Sequence, residues 1–318
     1  MFKKFLAKIG VGAAKVDLVL NDSAYTLGRQ IEGVIRVQGG KVEQQINFIN
    51  VEFWLEVRMK NGEVHTHKVT SIPAVSSFTV REGEKMEWPF TYNLPMDLPI
   101  SASNVSYFFK THLDIDGGAD GVDRDFIRIQ APQSLYQLVD GFEALGFREK
   151  HGSGKFNGYK QEFEFFPTSA LVGRIKEVEF EVAIEQSGIR VLLELDLPSF
   201  GREKEIKKEL FFTNEQLQNR SQLAQSLEEM MEEMIADPYR YEHFRPSYLE
   251  HGSYHRRMSG LGGAMGGFAA GMLGGMLIED LMDDMFEESA LGELGEELES
   301  ESEDFFDGDF FDGGDEEW

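Results

Sequence analysis

The stretch INVEFWLEVRMK, Ile49 to Lys60, alternates with a period of two. Ile49, Val51, Phe53, Leu55, Val57 and Met59 are apolar, while Asn50, Glu52, Glu56, Arg58 and Lys60 stand between them. A strand sends successive side chains to opposite faces, so this pattern predicts one face in a core and one in water. Trp54 alone breaks the polar face. Upstream, IEGVIRV repeats the pattern through Ile31, Ile35 and Val37. Gly39-Gly40, Asn61-Gly62 and Glu82-Gly83 punctuate the runs as turn signals. Short strands at this spacing predict an antiparallel β-sandwich.

The pattern restarts further on. KEVEFEVAIE places Val178, Phe180, Val182 and Ile184 on one face, and Glu177, Glu179, Glu181 and Glu185 on the other. After Ser187-Gly188, IRVLLELDL turns Ile189, Val191, Leu193, Leu195 and Leu197 inward. This reads as a hairpin of a second sandwich, with QAPQSL around Pro132 as the joint. The fold expected is all-β: two tandem sandwiches, a long helix and a disordered acidic tail. The helix is predicted over 213–236, opened by the capping-box spacing of Thr213 and Gln216 and striped by Leu217, Ala224, Leu227, Met231 and Met234. The stripe packs on its own domain or on a second copy, which leaves a homodimer open. The segments are an amphipathic start (1–14), a first sandwich (15–131), a second (132–212), the helix (213–236), a linker (237–257), a Gly-rich segment (258–286) and the acidic tail (287–318).

Charge is concentrated at one end. The formal net charge is −26, and 19 acidic residues with no Lys or Arg lie from Glu279 to Trp318; removing those 19 leaves −7 for the rest. Nucleic acid is not expected as a partner, because phosphate binding needs clustered Lys and Arg. There is no cysteine, which rules out disulfides and thiol nucleophiles. MFKKFLAKIG has no apolar h-region and no cleavage site, so the expected location is cytoplasmic.

Three stretches carry a resemblance: KKFLAKIGVGAAKVDLVL, YTLGRQIEGVIRVQGGKVEQQINFINVEF and LDIDGGADGVDRDFIRIQAP. They resemble the bacterial sporulation-control protein family, which is itself similar to arrestins. The most specific part is Leu-Gly-x-x-Ile-x-Gly-x-Ile-x-Val-x-Gly-Gly at residues 27–40, and the likeness extends over roughly residues 1–235. It implies a non-enzymatic regulatory or scaffolding protein that binds other proteins, with no cofactor.

The residues themselves hold no defensible catalytic arrangement. Seven histidines are scattered, and His65 and His67 share a strand face without a third ligand. GSGKFNG fails as a phosphate loop, since Glu149 and Phe156 stand where Gly and Ser or Thr are needed, and it reads as a hairpin loop. DIDGGADGVDRD offers Asp114, Asp116 and Asp120 as weak metal candidates, with Asp123 and Asp125 beyond them. Ala119 sits where a calcium loop of the helix–loop–helix type needs glycine, which favours a solvated hairpin tip.

Two features lie beyond the resemblance. Gly263, Gly267, Gly271 and Gly275 recur every four residues within an uncharged run, Leu261 to Ile278. Three readings follow: a short membrane span, a helix that self-associates or docks on a membrane, or a Gly-rich linker. The membrane-associated structural protein is the alternative to the scaffold, with peripheral membrane contact. The tail then repeats DFFDG, which places Phe305, Phe306, Phe310 and Phe311 as a bivalent partner-binding motif steered by its acids.

Overall fold

The computed structural model describes residues 12–158, 160–198, 204–242 and 244. In the first half the strands are β1 Lys15–Leu20, β2 Ala24–Thr26, β3 Gln30–Gln38, β4 Gln44–Arg58, β5 Val64–Val75, β6 Phe78–Val80, β7 Lys85–Asn93, β8 Val105–Ile115 and β9 Gly121–Gln130. They form a three-stranded sheet, β1-β3-β7, and a larger sheet, β2-β9-β8-β4-β5, with β6 also on β4. All pairs are antiparallel except β2 with β9.

The period of two in β4 places the core as expected. Ile49, Val51, Phe53, Leu55 and Val57 are buried, as are Ile31, Ile35 and Val37 of β3. Phe53 anchors an aromatic centre, with ring centroids 4.8 Å from Phe109 and 5.4 Å from Tyr107. Such offset contacts add to the area term of burial. The Gly39-Gly40 pair serves close approach: a Cβ at Gly39 would stand 2.1 Å from the Arg81 carbonyl oxygen.

The second half differs from the expected second sandwich. Its strands, β10 Phe147–Glu149, β11 Lys155–Phe156, β12 Gln161–Pro167, β13 Glu177–Glu185, β14 Gly188–Leu197 and β15 Lys204–Thr213, form one sheet among the described residues. Helix α1, Gln133–Leu145, covers its apolar face together with α2 Asn214–Gln218, α3 Arg220–Ala236 and α4 Pro238–Glu242. Helices replace the opposing sheet because α1 is amphipathic: Leu135, Leu138, Phe142 and Leu145 recur at helical spacing and are buried. Phe142 lies 5.0 Å from Phe180 and 5.6 Å from Phe165, ring to ring. Gly146 ends α1 in the left-handed region, at φ 89°. The capping box at Thr213 forms as its spacing predicts, and Leu217, Leu227, Met231 and Met234 pack within this lobe. A break at Asn219, which itself caps α3 by accepting from the Gln222 amide, divides the expected single helix in two.

Two amides join the halves. Gln161, buried at the start of β12, accepts from Ile100 N at 2.8 Å and donates to Ile100 O at 2.9 Å and Gly154 O at 2.7 Å. Asn104 answers from the first half, accepting from Phe156 N at 3.2 Å and donating to Phe156 O at 2.6 Å and Arg58 O at 3.2 Å. Each side chain offers a donor and an acceptor, so each mimics a strand neighbour. Between the halves lies a cavity of about 30 Å³, lined by Met96, Ile100, Leu135, Gln161 and Phe163 among others.

Candidate functional site

The outer face of the larger sheet in the first half departs from a plain solvated surface. Trp54 on β4, Phe108 on β8 and Phe126 on β9 stand in register across three strands. Trp54 and Phe108 are stacked at 3° with centroids 6.2 Å apart, and Phe108 meets Phe126 at 5.5 Å. Arg124 lays its guanidinium 4.1 Å from the Phe108 ring centre and 5.9 Å from that of Phe126. Lys68 sits 5.7 Å over Trp54. A cation over an aromatic face is held by the ring quadrupole.

Phe108 is enclosed by this arrangement, whereas Phe126 is 59% exposed and Val122 58%. Phe48, 42% exposed, extends the apolar surface and meets His112 at 6.1 Å. Glu52 is already neutralised, since it accepts from Lys68 at 3.0 Å and from Trp54 Nε1 at 3.1 Å. Burial raises its carboxyl, but those hydrogen bonds outweigh burial and hold it below the usual range. Among the described residues no carboxylate forms an ion pair with Arg124 or Arg128, while Lys110 stands across the ladder from Glu52. An exposed aromatic rim with spare cations suits an acidic segment that carries its own aromatic rings.

The second sheet presents the opposite charge. Opposite its helices, Glu162, Glu164, Glu177, Glu179, Glu181 and Glu194 line adjacent strands. Lys160 bridges Glu162 and Glu181, Lys150 bridges Glu164 and Glu177, and Lys207 pairs with Glu194 at 2.7 Å. Burial, then repulsion from Glu162 and Glu194, pushes Glu179 up to about 7. Ala183 and Leu192 give this face a small apolar patch, against which Phe244 packs.

The three aspartates singled out as metal candidates do not converge. Asp114 accepts from Asn47, and Asp120 accepts from Ile115 N at 3.0 Å and lies 3.3 Å from His112. Asp116 takes part in the tip through its backbone N–H, which donates to Gln45 O. The acids that do meet are Asp123 and Asp125 with Asp17 of β1, a distant partner that spacing within the loop could not reveal. The GSGKFNG segment is a hairpin loop, its Lys155–Phe156 paired with β12. Gly263, Gly267, Gly271 and Gly275, like Phe305, Phe306, Phe310 and Phe311, lie outside the described residues. Among the described residues no helix is long and apolar enough to cross a membrane.

A sandwich clamped to a helix-backed sheet defines a mostly-β protein of two lobes. Comparison with known proteins gives the family. A family model described as SpoOM protein matches residues 2–198. The sporulation-control protein Spo0M of Bacillus subtilis (strain 168) is 34% identical over 251 residues, covering 74% of this chain and 97% of that protein. The crystal structure of Spo0M from the same organism matches with a TM-score of 0.58 at 30% identity, covering 70% of this chain and 99% of that one. The chain belongs to the Spo0M family.

Proposed function

We propose that this family member regulates without catalysis, by binding other proteins, in the manner of an arrestin-like scaffold. The observation that carries the reading is the Trp54–Phe108–Phe126 row with Arg124 laid across it. It offers exposed ring surface beside unpaired cations, which is the complement of an acidic peptide bearing phenylalanines. The doubled DFFDG of the tail has that chemistry, so Phe305, Phe306, Phe310 and Phe311 are the natural first ligand to try. Such a tail competes in cis with partners that present a similar segment, which gives regulation a physical basis.

The test is fluorescence anisotropy with a labelled peptide of residues 300–318. The full chain with all four tail phenylalanines changed to alanine should bind the peptide more tightly than the wild type, whose own tail competes. Binding should weaken as salt rises, because exposed charges are screened. Equal, salt-independent binding by wild type, the tail variant and an Arg124→Ala variant would remove the face from consideration.

A further inference from the structure

At the rim of the first sandwich three acids meet without a counter-charge. Asp17 comes from β1 of the small sheet, while Asp123 and Asp125 come from β9 of the large one, on the face that turns toward the small sheet. One carboxylate oxygen from each lies within 4.8 Å of the others. Among the described residues no Lys, Arg or His pairs with any of the three.

A second observation is independent of the acids. Thr111 of β8 stands directly across the ladder from Asp123, on the same face, and is fully buried at 0% exposure. Its hydroxyl oxygen has no hydrogen-bond partner, and neither has Oδ2 of Asp125. A buried polar atom left unpartnered costs about 1–3 kcal/mol, so two within the same stretch of the β8–β9 ladder point to a missing ligand. Asp123 is only partly committed: its Oδ2 accepts from Leu18 N at 2.9 Å, at the free edge of β1.

We propose that Asp17, Asp123, Asp125 and Thr111 hold one hard divalent cation, with calcium the ion that fits. Calcium takes oxygen ligands about 2.3–2.6 Å away, so ligands on one ion lie at most about 5 Å apart, and the spread of the three carboxylates meets that limit. Magnesium needs ligands about 2.0–2.1 Å away in near-octahedral order and keeps several waters, which suits a three-carboxylate cluster less well. The ion bridges β1 to β8 and β9, and so ties the small sheet to the large one beside the Leu18 N–H to Asp123 bond. In support, burial and the neighbouring Asp123 push Asp125 up to about 7, the strain that a cation relieves.

The experiment is titration of the full chain with calcium chloride, by calorimetry and by thermal unfolding, with magnesium chloride as the control. The acidic tail gives a weak background common to every variant. Wild type should show one saturating event above that background and a rise in Tm, with at least a tenfold weaker response to magnesium. Asp125→Asn should bind at least tenfold more weakly, lose the Tm rise, and be more stable than the wild type without calcium. Thr111→Val, which removes an orphaned hydroxyl and should fold readily, should also weaken binding about tenfold. Absence of a saturating event in wild type, or the same event in wild type and Thr111→Val, overturns the proposal.

Discussion

Replacing Gln161 with leucine removes one of the two amide clamps while keeping side-chain bulk. Three hydrogen bonds disappear, and Ile100 N, Ile100 O and Gly154 O lose their partners. Each buried orphan costs about 1–3 kcal/mol. The neighbouring 30 Å³ cavity is large enough to admit about one water, which re-satisfies one group. The expected loss is therefore about 3 kcal/mol, borne at the joint rather than within either core. The fluorophores make this visible. Trp54 and Trp88 report on the first lobe, helices α1 and α3 report on the second by circular dichroism, and Trp318→Phe silences the tail. In urea the two signals should coincide for the parent and separate for Gln161→Leu, because the lobes then unfold in turn. Coincident curves with a shift below about 1 kcal/mol would refute the reasoning that the clamp couples the lobes.

Three further outcomes are expected. Phe126→Ala should leave stability within about 1 kcal/mol, because the ring is already 59% exposed, yet weaken tail-peptide binding about tenfold or more; the pairing of denaturation with anisotropy checks both. Phe142→Ala should cost about 3–5 kcal/mol, since the ring is fully buried between α1 and the sheet, with loss of helical signal in thermal melts. Glu179 is raised from 4.5 to about 7, so between those values the folded chain holds a proton that the unfolded chain has released. Stability should therefore fall as pH rises from about 4.5 to about 7, and Glu179→Gln should flatten that slope in Tm-versus-pH curves. A slope of the same size in the variant would assign it elsewhere.

The first sandwich was legible because β4 obeys a period of two from Ile49 to Val57, and Trp54, apolar on its outer face, marked the start of the aromatic row. Phe108 and Phe126 were not legible as its continuation. Their strands are separated from Trp54 by more than fifty residues, and only the register of β4, β8 and β9 brings the rings together. The helix that opens the second half has its signal in Leu135, Leu138, Phe142 and Leu145, but the proline before it is extended and fits a joint equally well. The hairpin of β13 and β14 has the same inward residues whether a sheet or a helix lies above it, so strand alternation alone could not tell one opposing layer from the other. The aspartate cluster was half visible: spacing showed a loop rich in acids, but the alternation after Gly121 turns only Asp123 and Asp125 inward to meet Asp17.

Gln161 and Asn104 grip main-chain atoms alone across the joint. The seam thus asks nothing of the side chains at Ile100 or Phe156 beyond ordinary packing, and everything of two amides. A lineage can drift at the gripped positions, or rework the outer face of either lobe for a new partner, without renegotiating how the lobes meet. Two modules inherit change separately and still travel as one body.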